Sequence, residues 1–395
     1  MRHLRVPAVI AAFVLLLAAC GTQGPSGDQG AAPDMPTELG EAEGELNLVI
    51  WAGYAEDGSA FPDFDWVTPF EEETGCIVNA TPQADSAAGI QLLRSGEYDG
   101  GSFSGNATDR LMAAGDVAPV NVELLSNYEN VFEGLKLQPH NSVDGVPYGV
   151  PHGRGPNLLI WNTDEVEPQT TWDGIWENAG DYEGQLSIFD SQDFIADAAL
   201  HLMATQPDLG IENPYQLTQE QFDAAIALLE EQFTHNPQFW SGSTFAEQIS
   251  AFAAGDVVIG TTWQFQTNLL LGEGAPVEAI KPAEGTTGWS DTWMIASEAA
   301  HPNCMYLWMN HMMSPEANGQ ATVYFGEAST SPEACDYAET IAPGHCELTH
   351  ATDEAYWEDV WYWSTAREDC GDDDANTTCV DFDAWVEAWT TLRGG

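Results

Sequence analysis

Beyond residue 45 the apolar positions follow two alternating rhythms. Residues 46–51 form a short, mostly apolar run of strand type, 66–73 carry apolar residues at helical spacing, 76–80 read as extended, and 87–95 are helical again. Helical stretches over 197–205, 218–233 and 246–254 and a buried-type strand over 257–261 continue the pattern. Thr218-Gln219-Glu220-Gln221 opens one helix with an approximate capping box. Strand and helix in this succession predict an α/β architecture. From 334 onward the pattern breaks into a loop-rich, Trp-rich stretch punctuated by cysteines. The apolar run 6–17 is too short to cross a bilayer as a permanent helix, and no second such run follows, so a channel is not expected. About 350 residues follow position 45, enough for two lobes of ordinary size, and no internal repeat is visible.

The start of the chain changes this picture. Arg2, His3 and Arg5 precede the apolar run, which ends in Leu17-Ala18-Ala19-Cys20. That ending resembles the lipobox of bacterial lipoproteins. The resemblance implies that 1–19 is a cleaved signal peptide, that Cys20 is lipidated, and that 20–45 is a flexible tether. A tether of about 25 residues reaches on the order of 25 to 30 Å. The expected location is the outer face of the cytoplasmic membrane, with lipid as the only membrane contact.

Loss of Arg2 and Arg5 with the leader would leave seven basic residues against 63 acids, a formal charge of −56. Such a chain is not expected to bind nucleic acid or anionic membrane surfaces. The acidity reads either as a surface adaptation, for instance to high salt, or as a field that steers cations. The spread of acids along the whole chain and the presence of only two lysines, Lys136 and Lys281, favour the first. Salt would weaken any steering. Six cysteines remain beyond Cys20, an even number in an exported chain, which suggests disulfides. Cys335 with Cys346 and Cys370 with Cys379 are sequence neighbours, which leaves Cys76 with Cys304. No CxxC occurs, against a zinc ribbon or a thioredoxin-type site; no metal and no cofactor is expected.

An ordered set of short motifs resembles the spermidine/putrescine-binding proteins of ABC importers. Ile50-Trp51-Ala52-Gly53-Tyr54 is followed by Phe70-Glu71-Glu72-Glu73-Thr74-Gly75, Gly96-Glu97-Tyr98-Asp99, Tyr148-Gly149-Val150-Pro151, Leu159-Ile160-Trp161-Asn162-Thr163 and Thr171-Trp172-Asp173. The series continues through the Gly255–Trp263 stretch, Pro282-Ala283-Glu284-Gly285 and Trp289-Ser290-Asp291. The resemblance implies an α/β, two-lobed, periplasmic-binding-protein-like clamp with a hinge and a ligand cleft between the lobes. Lobe one would comprise 46–155 and 290–330; lobe two, 156–289 and 331–395 with a disulfide-rich tail. That layout puts Cys76 and Cys304 in the same lobe. A monomer that captures a small cationic ligand and delivers it to the transmembrane subunits of an ABC permease is the implied function.

A polyamine needs aromatic faces for its methylenes and charges, and carboxylates for its ammonium groups. Carried over by position, Trp51 and Tyr54 stack from lobe one, Trp263 and Trp289 line the cleft wall, and Asp291 accepts an ammonium. Asp190 and Asp193 stand near an acidic pair of the family on lobe two, Asp190 being the better match; either is alternatively an N-cap of the following helix. Ser104 matches a hydroxyl that lines the site. Asn106 and Glu327 replace aromatic residues of the family, which leaves cation binding intact but bears on ligand identity. Arg154 is either a clamp for a ligand carboxylate, making the ligand zwitterionic or amino-acid-like, or a hinge residue paired with an acid.

An enzyme would need a nucleophile or metal constellation, and no G-x-S-x-G, H-E-x-x-H or P-loop occurs. His345, Cys346, Glu347 and His350 form the one group suggestive of a metal, more simply read as the surroundings of a disulfide. A surface metal-binding or adhesive lipoprotein is the rival of another class.

Overall fold

The computed structural model describes residues 35–370 and 377–394. The leader, Cys20 and the start of the tether lie outside them. Two five-stranded sheets organise the chain. In lobe one the order is Ile77–Pro82, Glu45–Ile50, Gly100–Phe103, Thr292–Ile295, Gly149–Pro151; the first three strands run parallel, and Thr292–Ile295 is antiparallel to both its neighbours. In lobe two the order is Gln238–Trp240, Leu186–Phe189, Ile259–Thr262, Leu158–Asn162, Val277–Ile280. Here Leu158–Asn162 runs against both strands beside it. Each sheet has its own apolar core: Leu46, Leu48, Phe70, Trp293 and Trp308 in lobe one, Trp161, Ile188, Phe194, Leu229 and Trp385 in lobe two. The protein is a two-lobed α/β clamp.

Local sequence explains most of these elements. Ser86–Leu93 is capped by Asp85, whose carboxylate accepts from the Ala88 N–H at 2.8 Å. In Gln219–Phe233 the Gln221 side chain reaches back to the Thr218 N–H at 2.9 Å, the capping box the pattern predicts. The chain crosses between the sheets at 152–154 and returns at 290–291. Beside these crossings a small sheet joins Gly155–Pro156, Thr286–Trp289 and Val360–Tyr362.

The region after 334 departs from the loop-rich expectation. Pro332–Ile341, His345–Leu348, Glu354–Trp357 and Phe382–Gly394 are helices. The Ser331 hydroxyl accepts from the Ala334 N–H and Pro332 occupies the first turn, a start signal obscured by the surrounding cysteines. Residues 331–395 do not all join lobe two, as the layout above would have them. The Pro332–Ile341 helix lies along Pro315–Phe325, so close that a Cβ on Gly319 would stand 2.9 Å from the Ala334 carbonyl oxygen. The last helix does pack on lobe two, through Trp385 and Trp389, one turn apart on its buried face.

All three cysteine pairs occur: Cys76–Cys304, Cys335–Cys346 and Cys370–Cys379. The first ties the edge of the lobe-one sheet to the Pro302–Met312 helix. Among the described residues no helix is long and apolar enough to cross a membrane.

Candidate functional site

Asp291 lies on the return crossing between the two sheets, 4 % exposed. Tyr54, held after the first strand of lobe one, donates its hydroxyl to Oδ2 at 2.7 Å, and Ser104, at the start of the Gly105–Ala114 helix, donates to Oδ1 at 2.6 Å. Two donors fix the carboxylate from the same lobe. Burial raises its pKa, while the hydroxyls of Ser104 and Tyr54 pull it back down. Next to it lies a second buried carboxyl, Glu327, whose side chain is fully enclosed and whose pKa burial also raises. His152 Nε2 is 3.2 Å from Glu327 Oε1. The indole N–H of Trp293 donates to His152 Nδ1 at 3.0 Å; an indole can only donate, so Nδ1 is an acceptor and the proton of this imidazole is on Nε2, facing Glu327. Tyr54 stacks on the same imidazole, centroids 4.0 Å apart.

Asp193 faces this group from lobe two. It occupies the N-cap position of the Phe194–Thr205 helix, yet its side chain does not cap. Instead Oδ2 accepts from Asn106 of lobe one at 2.7 Å and from Ser191 at 2.8 Å. The Asn106–Asp193 bond therefore crosses between the lobes. Asp190, the better match by resemblance, is placed differently from Asp193. Its carboxylate takes both the Arg393 guanidinium, at 3.0 and 3.1 Å, and the Trp389 indole N–H, so the last helix occupies it. Sequence comparison alone had no view of that helix.

Trp263 and Trp289 lie together, with further aromatic residues around them. Trp263 lies 6.4 Å from Trp289, 4.9 Å from Trp240 and 6.4 Å from Trp363, and Phe189 stacks on Trp363 at 5.5 Å. Asn157 orients Trp263 by accepting its indole N–H at 2.8 Å. Trp51 is half-buried against the lobe-one core. Sequence reasoning missed Trp363, Asn157, His152 and Asp197. Only the position of Asp197, one helical turn beyond Asp193, gave a usable signal.

Asp193 and Asp197 carry a testable pH dependence. Burial pushes Asp193 up to about 6; burial, with the neighbouring Asp193 charge adding to it, pushes Asp197 up to about 7. The unfolded chain releases these protons near pH 4. Between about pH 4 and 7 the folded protein therefore keeps protons the unfolded chain has lost, and stability falls as pH rises across that window. The slope is at most about 1.4 kcal/mol per pH unit for each carboxyl. Asp197→Asn should flatten the profile and raise stability at pH 8, as read by urea unfolding at pH 5 and pH 8.

Arg154 is 1 % exposed and turns to the C-terminal segment: its guanidinium is 2.8 Å from Glu354 and 4.1 Å over the Trp357 ring. Its backbone pairs with Ala328. This is the hinge-pairing alternative. Because Glu354 is half exposed and stays solvated without its partner, Arg154→Ala should cost only about 1 to 2 kcal/mol of stability, mainly lost packing and cation–π contact. Thermal unfolding of the variant measures it, and amine affinity should change little.

The group suggestive of a metal is otherwise engaged. Cys346 is in a disulfide, His345 contacts the Glu327 carbonyl at 3.0 Å, and His350 stacks on Tyr356 at 3.8 Å. Among the described residues the only gathering of three ligand-type side chains is Asp173, Glu177 and His201, where His201 already pairs with Glu177 at 3.3 Å.

Two lobes joined by crossing strands, with carboxylates and indoles collected where they cross, define a protein that encloses a small solute. Residues 65–344 match the family model of the bacterial extracellular solute-binding proteins, and the chain belongs to that family. It is an extracellular solute-binding protein and not an enzyme. Among curated relatives, the spermidine/putrescine-binding periplasmic protein of Escherichia coli K12 is 22 % identical over 298 residues, covering 72 % of this chain and 81 % of its own. The solved spermidine/putrescine ABC transporter substrate-binding protein of Streptococcus pneumoniae superposes with a TM-score of 0.68 at 16 % identity, covering 89 % of this chain and 98 % of that one. A lipoprotein of Treponema pallidum superposes with a TM-score of 0.62 at 17 % identity, covering 89 % and 98 %. At these identities the structural likenesses speak for the fold.

Proposed function

We propose that the solute is a small cationic amine of the polyamine class, held at Asp291 between the two lobes and handed to the transmembrane subunits of an ABC permease. The observation that carries this reading is Asp291 itself. Both its oxygens are oriented by neutral hydroxyl donors, it lies beside a second buried carboxyl, and its own contacts include no Lys or Arg. A buried carboxylate is costly unless a cation compensates it, and an ammonium ligand does so. Indole faces at Trp263 and Trp289 suit both methylenes and ammonium groups. The names of the curated relatives point to the same chemistry. The contacts of Arg154, which go to Glu354, the Ala351 carbonyl and Trp357, give no support to a zwitterion clamped by that residue.

Calorimetric titration with putrescine, spermidine, glycine betaine, amino acids and divalent metal ions tests the reading. Binding of the amines alone is expected; saturation by an organic anion or a metal, with no response to amines, would overturn it. We also propose that the protein works as a monomer tethered by lipid at Cys20, a reading supported by the Leu17-Ala18-Ala19-Cys20 motif and by a lipoprotein among proteins of the same fold. Mass spectrometry of the membrane-extracted protein should find an acylated N-terminal Cys20, and an unmodified Cys20 would refute the anchor.

A further inference from the structure

The C-terminal segment does more than complete lobe two. Trp363 and Ala366 are buried in the lobe-two core, and the Trp363 N–H donates to the Gly288 carbonyl at 2.8 Å. The next few residues grip the other lobe. In the Gly105–Ala114 helix of lobe one, Asn106, Asp109 and Arg110 share one face by their spacing. Asp109 is 3 % exposed. Its Oδ2 accepts from the Ser364 hydroxyl at 2.7 Å and from the Thr365 N–H at 2.9 Å, and Arg367 pairs with Oδ1 at 3.3 Å. The Thr365 hydroxyl donates to the Asn106 carbonyl at 2.7 Å. The Arg110 guanidinium sits 4.8 Å over Phe382, on the helix that packs into lobe two. At Gly105 the two segments run so close that a Cβ would stand 1.8 Å from the Trp363 carbonyl oxygen. The segment is rooted on the lobe-two side by the Cys370–Cys379 disulfide and by the bridge from Cys379 to Thr218. It also lies beyond residue 344, where the match to the family model ends.

We propose that Trp363–Arg367 is a strap by which lobe two holds lobe one, and that Asp109 is the positioning residue through which it sets how much of the protein is closed before solute arrives. Three donors from the strap converge on one buried carboxylate, so opening the clamp would strip that charge of its partners in one step. The closed fraction enters the apparent affinity directly, because solute that needs the closed form binds more weakly in proportion as that form becomes rarer. Asp109 itself contacts the strap and not Asp291, so it acts on capture through the strap, whose first residue, Trp363, is one of the indoles beside Trp263. This rests on the clamp mode of capture and not on the amine reading.

The test uses spin labels at two exposed positions, Glu72→Cys on lobe one and Glu230→Cys on lobe two, in the disulfide-intact protein without solute. Asp109→Ala should move the interlobe distance distribution to longer and broader values, whereas Asp109→Asn, which keeps the shape and an acceptor, should move it less. With putrescine as probe, the dissociation constant of Asp109→Ala should rise by about tenfold to a hundredfold, chiefly through faster release. An unchanged distance distribution overturns the proposal whether or not putrescine binds. If Asp109→Ala does not fold, Ser364→Ala combined with Arg367→Gln leaves the buried carboxyl in place and removes two of its partners. A shift to longer distances in that variant supports the strap, and an unchanged distribution sinks it.

Discussion

Replacing Asp291 with Asn is expected to weaken putrescine binding by roughly 30-fold to several thousand-fold, the effect of removing one partner from a desolvated charge pair at about 2 to 5 kcal/mol. Asn has nearly the same shape, so packing between the sheets should survive. What changes is the charge and the pattern of donors. Tyr54 and Ser104 both donate to the wild-type carboxylate. The amide must present its NH2 to one of them, and that hydroxyl has to turn round to accept. Tyr54→Phe should cost less, since it removes one neutral donor and leaves the carboxylate. Removing an indole face at Trp263 should cost about 0.5 to 2 kcal/mol in cation–π attraction before lost packing is counted. Salt supplies a control: it should slow association of a cation with so acidic a surface while affecting the buried contact much less. Calorimetry on the variant decides the matter, and undiminished amine affinity would show that Asp291 is not the ammonium acceptor.

Removal of the Cys76–Cys304 bridge should destabilise the protein more than removal of either other disulfide. The two cysteines are 228 residues apart, against 11 for Cys335–Cys346 and 9 for Cys370–Cys379. In the chain-entropy description the long loop corresponds to about 5 kcal/mol and the short ones to about 3 or less. The long bridge also closes a circuit that no local contact replaces, since lobe one is built from two stretches of chain separated by most of lobe two. Both sulfurs are fully buried, so Ala is the better substitute than Ser, whose hydroxyl would need a partner there. The double variant Cys76→Ala/Cys304→Ala should unfold roughly 5 to 10 °C below the parent if unfolding stays cooperative. A midpoint drop no larger than that of Cys370→Ala/Cys379→Ala would show that the bridge contributes little beyond local order.

The elements whose apolar spacing is strong were legible directly. The first strand, the Gln219–Phe233 helix with its capping box, and the Ile259–Thr262 strand all form close to where the pattern puts them. The helices after 331 were hidden because their buried faces are built from Trp, Cys and Ala among many acids and turn residues, which dilute a 3.6-residue period. In the site, Asp291 and Tyr54 come together, 237 positions apart in the chain and 2.7 Å apart in space. The resemblance put Asp190 ahead of Asp193, and no local pattern could check that order. They lie three residues apart in an acidic chain, and what separates them is the partner each meets: Arg393 and Trp389 for one, Asn106 of the opposite lobe for the other.

Sequence by itself determined the α/β class, which is written in local period, and offered two cysteine pairs by their short spacing; Cys76 with Cys304, 228 positions apart, followed only as the remainder. It also determined the family, through motifs whose order survives even where identity is low. Tertiary structure alone decided which carboxylates are buried without a basic partner, that Arg154 turns to Glu354 and Trp357, and that the C-terminal segment straps lobe two to lobe one. Those are properties of contacts between residues tens to hundreds of positions apart. Burial and charge pairing depend on what the rest of the chain places beside a side chain, and no local pattern encodes that.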